Sequence, residues 1–183
     1  MYKRQPVKSG ERYFYVWSHR KNIGTPLDTG SMLMIAEFDP VHPERLISEP
    51  KCLSRPLYGF ENTEHTINNE GPYAFYYHNK IYLAYSGGDA RGYLYAIGML
   101  TANDGDDLCD LSVWEKAKTP IASFATIPGE YGPGHNSFFW DRDQNLWIAY
   151  HAVTSFEEKI VSSGMRRVYF EQDKTPRFDV IVE

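Results

Sequence analysis

Three segments of the chain carry the same dense run of β-branched and aromatic residues. Arg12-Tyr13-Phe14-Tyr15-Val16-Trp17-Ser18 aligns with Lys80-Ile81-Tyr82-Leu83-Ala84-Tyr85-Ser86 and with Asn145-Leu146-Trp147-Ile148-Ala149-Tyr150-His151. Each follows a turn: Lys8-Ser9-Gly10, His78-Asn79, and Asp141-Arg142-Asp143-Gln144. Such runs bounded by turn residues predict strands. In the last two copies a further strand precedes the turn, Tyr73 to Tyr77 and Ser137 to Trp140, which predicts β-hairpins. More strands are expected at Met32 to Phe38, Tyr93 to Leu100, Arg167 to Phe170 and Phe178 to Val182. No stretch sustains a 3.6-residue period, so helix is limited to a short turn near Asp107 to Trp114.

The second strands repeat at offsets of 68 (86 − 18) and 65 (151 − 86). Glu70 and His135 are also 65 positions apart (135 − 70), each just ahead of its hairpin. A carboxylate and an imidazole are thus expected at one place in successive copies of a unit. Repeated antiparallel units whose first strands meet on an axis describe a β-propeller. Units of this length exceed ordinary blades, so long loops are expected, one of them over Pro40 to Asn68. The fold class is all-β: a partial propeller of about three blades.

The same register puts the earlier axial position at residue 2, inside Met1-Tyr2-Lys3-Arg4-Gln5. That pentapeptide has no signal-peptide character. It resembles the translation of a transposon-end adapter used in building sequencing libraries. Residues 1–5 are therefore read as a non-native leader, and 6–183 as the C-terminal part of one propeller domain.

Composition narrows the function. Of the 183 residues, 42% are hydrophobic and 15% aromatic, with 14 Tyr, 10 Phe and 4 Trp. Aromatics fill β cores, and in a cleft they also suit the faces of sugar rings. The net charge is −5 and no basic stripe occurs, which argues against a nucleic-acid partner. Apolar runs are strand-sized, so no membrane span is expected. Cys52 and Cys109 form neither a metal spacing nor a disulfide framework. Localisation and oligomeric state are left open.

Glu70 stands in Asn69-Glu70-Gly71-Pro72-Tyr73. Gly71 allows close backbone approach, and Pro72 stiffens the strand entry. Desolvation among aromatics would favour the neutral carboxyl that a proton donor needs. The alternative is a carboxylate satisfied by nearby backbone amides. His135, in Tyr131-Gly132-Pro133-Gly134-His135-Asn136-Ser137, reads alone as a hydrogen-bonded core histidine. Asp28, Asp39 and Asp89 sit in turn sequences and read as turn formers. Glu61 and Glu64 read as solvated loop residues, and Ser86 and His151 as structural strand ends. Arg166 and Arg167 are expected to begin an inner strand. Alternation turns one inward, and Arg166 is assigned that position and a sugar-binding role.

The motifs together resemble glycoside hydrolase family 43, the five-bladed propeller enzymes of the arabinofuranosidase, arabinanase and β-xylosidase group. The resemblance runs collinearly through Asn69 to Tyr73, Tyr82 to Gly88, Tyr95 to Ala102, Trp114 to Lys116, Tyr131 to Phe138 and Arg166 to Phe170. The Tyr-Gly-Pro-Gly-His-Asn-Ser string is its most specific part. The resemblance implies inverting hydrolysis of arabinose- or xylose-containing plant polysaccharide, with α-L-arabinofuranosidase favoured over β-xylosidase. It implies Glu70 as general acid and His135 as a residue helping to hold axial Ca²⁺, mostly through waters. It also implies a base aspartate and a pKa-tuning aspartate. The first would lie upstream of this sequence and the second near position 2. The rivals are a non-catalytic sugar-binding propeller and an inactive truncation product.

Overall fold

The computed structural model describes residues 2–157 and 160–178. The first sheet holds β1 (Tyr2–Ser9), β2 (Arg12–Arg20), β3 (Ser31–Glu37) and β4 (Lys51–Ser54) in that spatial order. A small hairpin, β5 (Asn62–Thr63) and β6 (Thr66–Ile67), leads to the second sheet. That sheet contains β7 (Asn69–Tyr77), β8 (Lys80–Gly87), β9 (Ala96–Asn103) and β10 (Glu115–Lys116). The third has β11 (Tyr131–Trp140), β12 (Leu146–Val153) and β13 (Val161–Arg167). A last hairpin pairs β14 (Tyr169–Phe170) with β15 (Pro176–Arg177). Every pairing within the three sheets is antiparallel. The sheets form three successive propeller blades that do not close into a ring.

The two expected hairpins are present, and the first copy has one as well, because β1 pairs with β2. Only a single 3₁₀ turn, Leu111–Val113, forms where a short helix was expected. The strand expected at Tyr93 begins three residues later, at Ala96. The strand expected at Arg167 to Phe170 is divided between the end of β13 and β14. Of the strand expected over 178–182, only Phe178 falls within the described residues.

Burial follows the two-residue period of each strand. Ile81, Leu83 and Tyr85 of β8 pack with Val7, Phe14, Val16, Leu33 and Ile35 of the first blade. The alternate residues Tyr82 and Ala84 pack with Phe138, Leu146, Ile148 and Tyr150 of the third. The middle blade is therefore buried on both faces, which is why β8 reads as an unbroken apolar run. Each such large side chain contributes about 1.5–3 kcal/mol by leaving water. On the far side of the third blade, Phe139, Val161 and Met165 are exposed.

The blades are also fastened at the axis. The Gly71 N–H donates to Ser18 Oγ at 3.1 Å, and the His135 N–H donates to Ser86 Oγ at 2.8 Å. Ser18 and Ser86 hold equivalent places in β2 and β8, so in the first two blades the second strand accepts a bond from the next blade's first strand.

Candidate functional site

The pairing registers correct the equivalence of Glu70 and His135. Glu70 pairs with Ser86, Tyr2 with Ser18, and Gly134 with His151. The first strands of the second and third blades are thus offset by 64 (134 − 70), while their second strands are offset by 65 (151 − 86). The connection 141–145 holds one residue more than its counterpart in the second blade, which absorbs the difference. His135 is instead equivalent to Gly71 and Lys3. All three have left-handed backbone, with φ of 54°, 58° and 52°. Each sits at an irregularity in its strand, where a bulge re-aims the chain.

A cleft of about 330 Å³ opens between the three first strands. Its lining is Lys3, Arg4 and Gln5 from β1, Gly71, Pro72 and Tyr73 from β7, and His135, Asn136 and Ser137 from β11. These are the same three positions in each blade, so the cleft lies on the axis of the repeat.

Glu70 reaches the same centre and is only 8% exposed. Its Oε2 accepts from Lys3 Nζ at 2.6 Å, and its Oε1 accepts from the Tyr95 hydroxyl at 2.9 Å. Lys3 Nζ also lies 3.5 Å from His135 Nδ1. The His151 ring stacks 5.7 Å from Tyr95 and 6.1 Å from His135. The structure therefore brings Glu70 and His135 together, with Lys3 between them.

The electrostatics overturn the expected neutral acid. Burial pushes the Glu70 carboxyl up, as expected. The hydrogen bond and charge of Lys3, with hydrogen bonds from Asn68 and Tyr95, outweigh it and hold the group below the ordinary carboxylate value. Burial and the Lys3 charge lower the His135 pKa against the opposing pull of Glu70. His151 is lowered too, by burial and by the adjacent His135 and Lys3, again against Glu70. Near neutral pH the cleft therefore contains an anionic carboxylate, an ammonium and two neutral imidazoles.

The glycines serve different purposes from those expected. A Cβ on Gly71 would meet open space, so its left-handed φ, not close approach, calls for glycine there. At Gly134 a Cβ would fall 2.0 Å from the Tyr95 ring. This glycine makes room for the tyrosine that holds Glu70.

Other candidates lie elsewhere. Arg166 ends β13 instead of beginning an inner strand, and pairs with Ile148. Its guanidinium donates to Tyr150 Oη and to Glu130 Oε1, both at 2.7 Å, so its bonds go to Glu130 and Tyr150, not to Glu70 or His135. Glu61 is not solvated but fully buried, whereas Glu64 is exposed as expected. Asp28, Asp39 and Asp89 do accept backbone N–H bonds in turns.

Three participants escaped the sequence reading. Tyr95 was assigned to a strand, and Lys3 falls in the segment read as leader. Asn136 is 5% exposed, with both polar atoms of its amide unpartnered by protein groups. The advance signal was the pair Gly132 and Gly134, of which the first reports close approach of the Gly92 backbone and the second the Tyr95 ring.

The described residues do not by themselves assemble a calcium shell. The ion takes about six to eight oxygen ligands, and among the described residues no group of three His, Cys, Asp or Glu gathers. The gap between Glu70 and His135 already holds a positive charge on Lys3. The residues present suit an ammonium better than a dication.

A family model, Glycosyl hydrolases family 43, matches residues 7–176. An extracellular exo-α-(1→5)-L-arabinofuranosidase of Streptomyces avermitilis is 29% identical over 96% of this chain and 37% of its own length. One of the same description from Streptomyces chartreusis is 34% identical over 78% of the chain and 42% of its own length. Among solved structures, an α-L-arabinofuranosidase from Lactobacillus brevis superposes with a TM-score of 0.81 at 27% identity. That match covers 96% of this chain and 55% of the solved one. The chain thus spans less than half the length of these two curated relatives. No helix among the described residues is long and apolar enough to cross a membrane.

Proposed function

This chain belongs to the glycosyl hydrolases of family 43, and from that premise we propose that the whole protein cleaves terminal arabinofuranosyl units from plant polysaccharide or its oligosaccharides. Both curated relatives above are arabinofuranosidases by name, which favours this sugar over xylose. The observation that carries the reading is the placement of Glu70. It is a buried carboxylate at the edge of an axial cleft, gripped on one oxygen by Tyr95.

In the mechanism Glu70 protonates the departing glycosidic oxygen while a second carboxylate activates water on the opposite face of the sugar. An inverting pair stands roughly 6.5–9.5 Å apart, leaving room for that water. The second carboxylate is assigned to the upstream part of the protein, and the aspartate that tunes the acid to the place near position 2. Tyr95 orients the acid, while Tyr73 at the cleft wall offers a ring to the sugar.

The test is to assay the protein with its upstream blades on p-nitrophenyl α-L-arabinofuranoside and β-D-xyloside. The arabinoside is expected to turn over faster, with inversion at the anomeric carbon. Glu70→Gln is expected to lower kcat/KM by about 10²–10⁴-fold. Turnover untouched by that substitution would end the assignment. The 183-residue chain alone is expected to be inactive, since the carboxylate that activates water is assigned to the blades upstream of it. Arabinoside turnover by the isolated chain, lost in Glu70→Gln, would refute that.

A further inference from the structure

We propose that Tyr93, Tyr131 and Phe156 form an aromatic platform on the rim of the cleft, an outer subsite that stacks against the pentose units next to the one being cleaved. The inference rests on the reading of Glu70 as the acid only for where the cut falls. The platform itself is built without Glu70 and without any of residues 1–5.

Strand register puts the three rings at the Glu70 end of the blades. Glu70 pairs with Ser86 and Asn69 with Gly87, where β7 starts and β8 closes. Tyr131 pairs with Val153 at the matching place of the third blade. The hairpin connections 78–79 and 141–145 lie at the opposite end. The loops 88–95 and 154–160, which carry Tyr93 and Phe156, therefore leave from the Glu70 end. Tyr93 stands two residues before Tyr95, whose hydroxyl holds Glu70. A chain segment of that length spans at most about 7 Å. A glycan bound at Glu70 would present its next units at this rim.

The rings are fixed by one another. Phe156 lies 3.9 Å from Tyr131 and 4.7 Å from Tyr93 between centroids, and Tyr93 meets Tyr131 edge to face at 6.3 Å. The Tyr93 hydroxyl donates to the Phe156 carbonyl at 3.2 Å, fastening one loop to the other. Yet Phe156 keeps 55% of its surface exposed. A large ring already ordered can take a ligand's apolar face out of water at little further entropic cost.

A polar group stands beside the rings. A Cβ on Gly92 would fall 1.3 Å from Glu64 Oε2, so the Glu64 carboxylate occupies the space of a side chain next to Tyr93. Glu64 is exposed, and its oxygens accept from hydroxyl groups. Rings for a C–H face together with a carboxylate for hydroxyls select a sugar chain as the occupant.

The test is binding by the protein with its upstream blades, carrying Glu70→Gln to hold back turnover. Calorimetric titration uses oligosaccharides of two to five units from arabinan and from xylan. Affinity for one series is expected to rise with chain length, by about 2–10-fold as the platform fills. Adding Phe156→Ala should abolish that rise, and Phe156→Tyr should keep it. Should Phe156→Ala not fold, Phe156→Leu, which keeps the bulk without the flat face, carries the same expectation. A folded variant of either kind that keeps the rise overturns the proposal and makes the trio a plug between loops. Affinity that ignores chain length, or no binding of either series, overturns it before any change at Phe156. Failure of Glu70 as the acid shows separately, as free pentose released by the Glu70→Gln protein. The same comparison is then read from kcat/KM against chain length.

Discussion

Two Lys–Glu–Tyr triads in this molecule use the same chemistry to different ends. Glu61 accepts from Lys116 at 2.6 Å and from the Tyr85 hydroxyl at 2.7 Å; Glu70 accepts from Lys3 at 2.6 Å and from Tyr95 at 2.9 Å. The difference lies in what else surrounds them. Glu61 also receives the Leu57 and Tyr58 backbone N–H groups, and its side chain is wholly enclosed. It ties the loop ahead of β5 to the second blade. Glu70 sits at the edge of an open cleft, and its lysine side chain remains 30% exposed. A carboxylate saturated from all sides is a strut, and one with an approach left open is a reagent.

Removing a strut should cost far more than altering a reagent. Glu61→Ala leaves the half-buried Lys116 ammonium without its carboxylate and frees two backbone donors. A loss of about 3–5 kcal/mol is expected, read from urea unfolding. Equal losses for Glu61→Ala and Glu70→Gln would erase the distinction.

An intermediate effect is expected at Gly134, where a methyl group must displace the Tyr95 ring. Gly134→Ala should lower stability by about 1–3 kcal/mol. It should also raise the Glu70 titration midpoint by removing one hydrogen bond to the anion. A stable variant with an unmoved midpoint would show that Tyr95 does not hold the acid.

The smallest effect is expected from Glu70 itself. Glu70→Gln should change stability at neutral pH by no more than about 1–2 kcal/mol. Because the folded-state pKa is depressed, the stabilisation through Glu70 is complete above the unfolded value. It is lost as pH falls through the lower folded value. Glu70→Gln should flatten that acid limb, and an unchanged limb would assign the dependence to other carboxylates.

The blades themselves were legible because a strand buried on both faces leaves a continuous apolar run, as in Ile81 to Tyr85. The site was legible only in part. Residue offsets brought Glu70 and His135 to one centre, yet equated them one position out, since the length of the connection 141–145 is settled by hairpin geometry and not by composition. Glu61 was misread because a glutamate in a polar loop looks solvated until the blade behind it is in place. The contact of Lys3, in the segment read as a leader, is with a carboxylate 67 positions away, which no local pattern announces. The place of Arg166 was hidden for a similar reason: its two acceptors come from β12 and from the loop before β11, and no local pattern announces them.

The serine contacts between blades have a consequence for how such an array can change over time. The second blade carries a hydroxyl acceptor for its successor, Ser86, and a left-handed N–H for its predecessor, Gly71. A blade duplicated or deleted as a unit would take both halves of its coupling with it. Neighbours left behind could then rejoin without redesign. The axial residue beside that coupling is free to vary, here lysine, glycine or histidine. New chemistry can therefore be tried on the axis one side chain at a time while the array keeps its means of assembly.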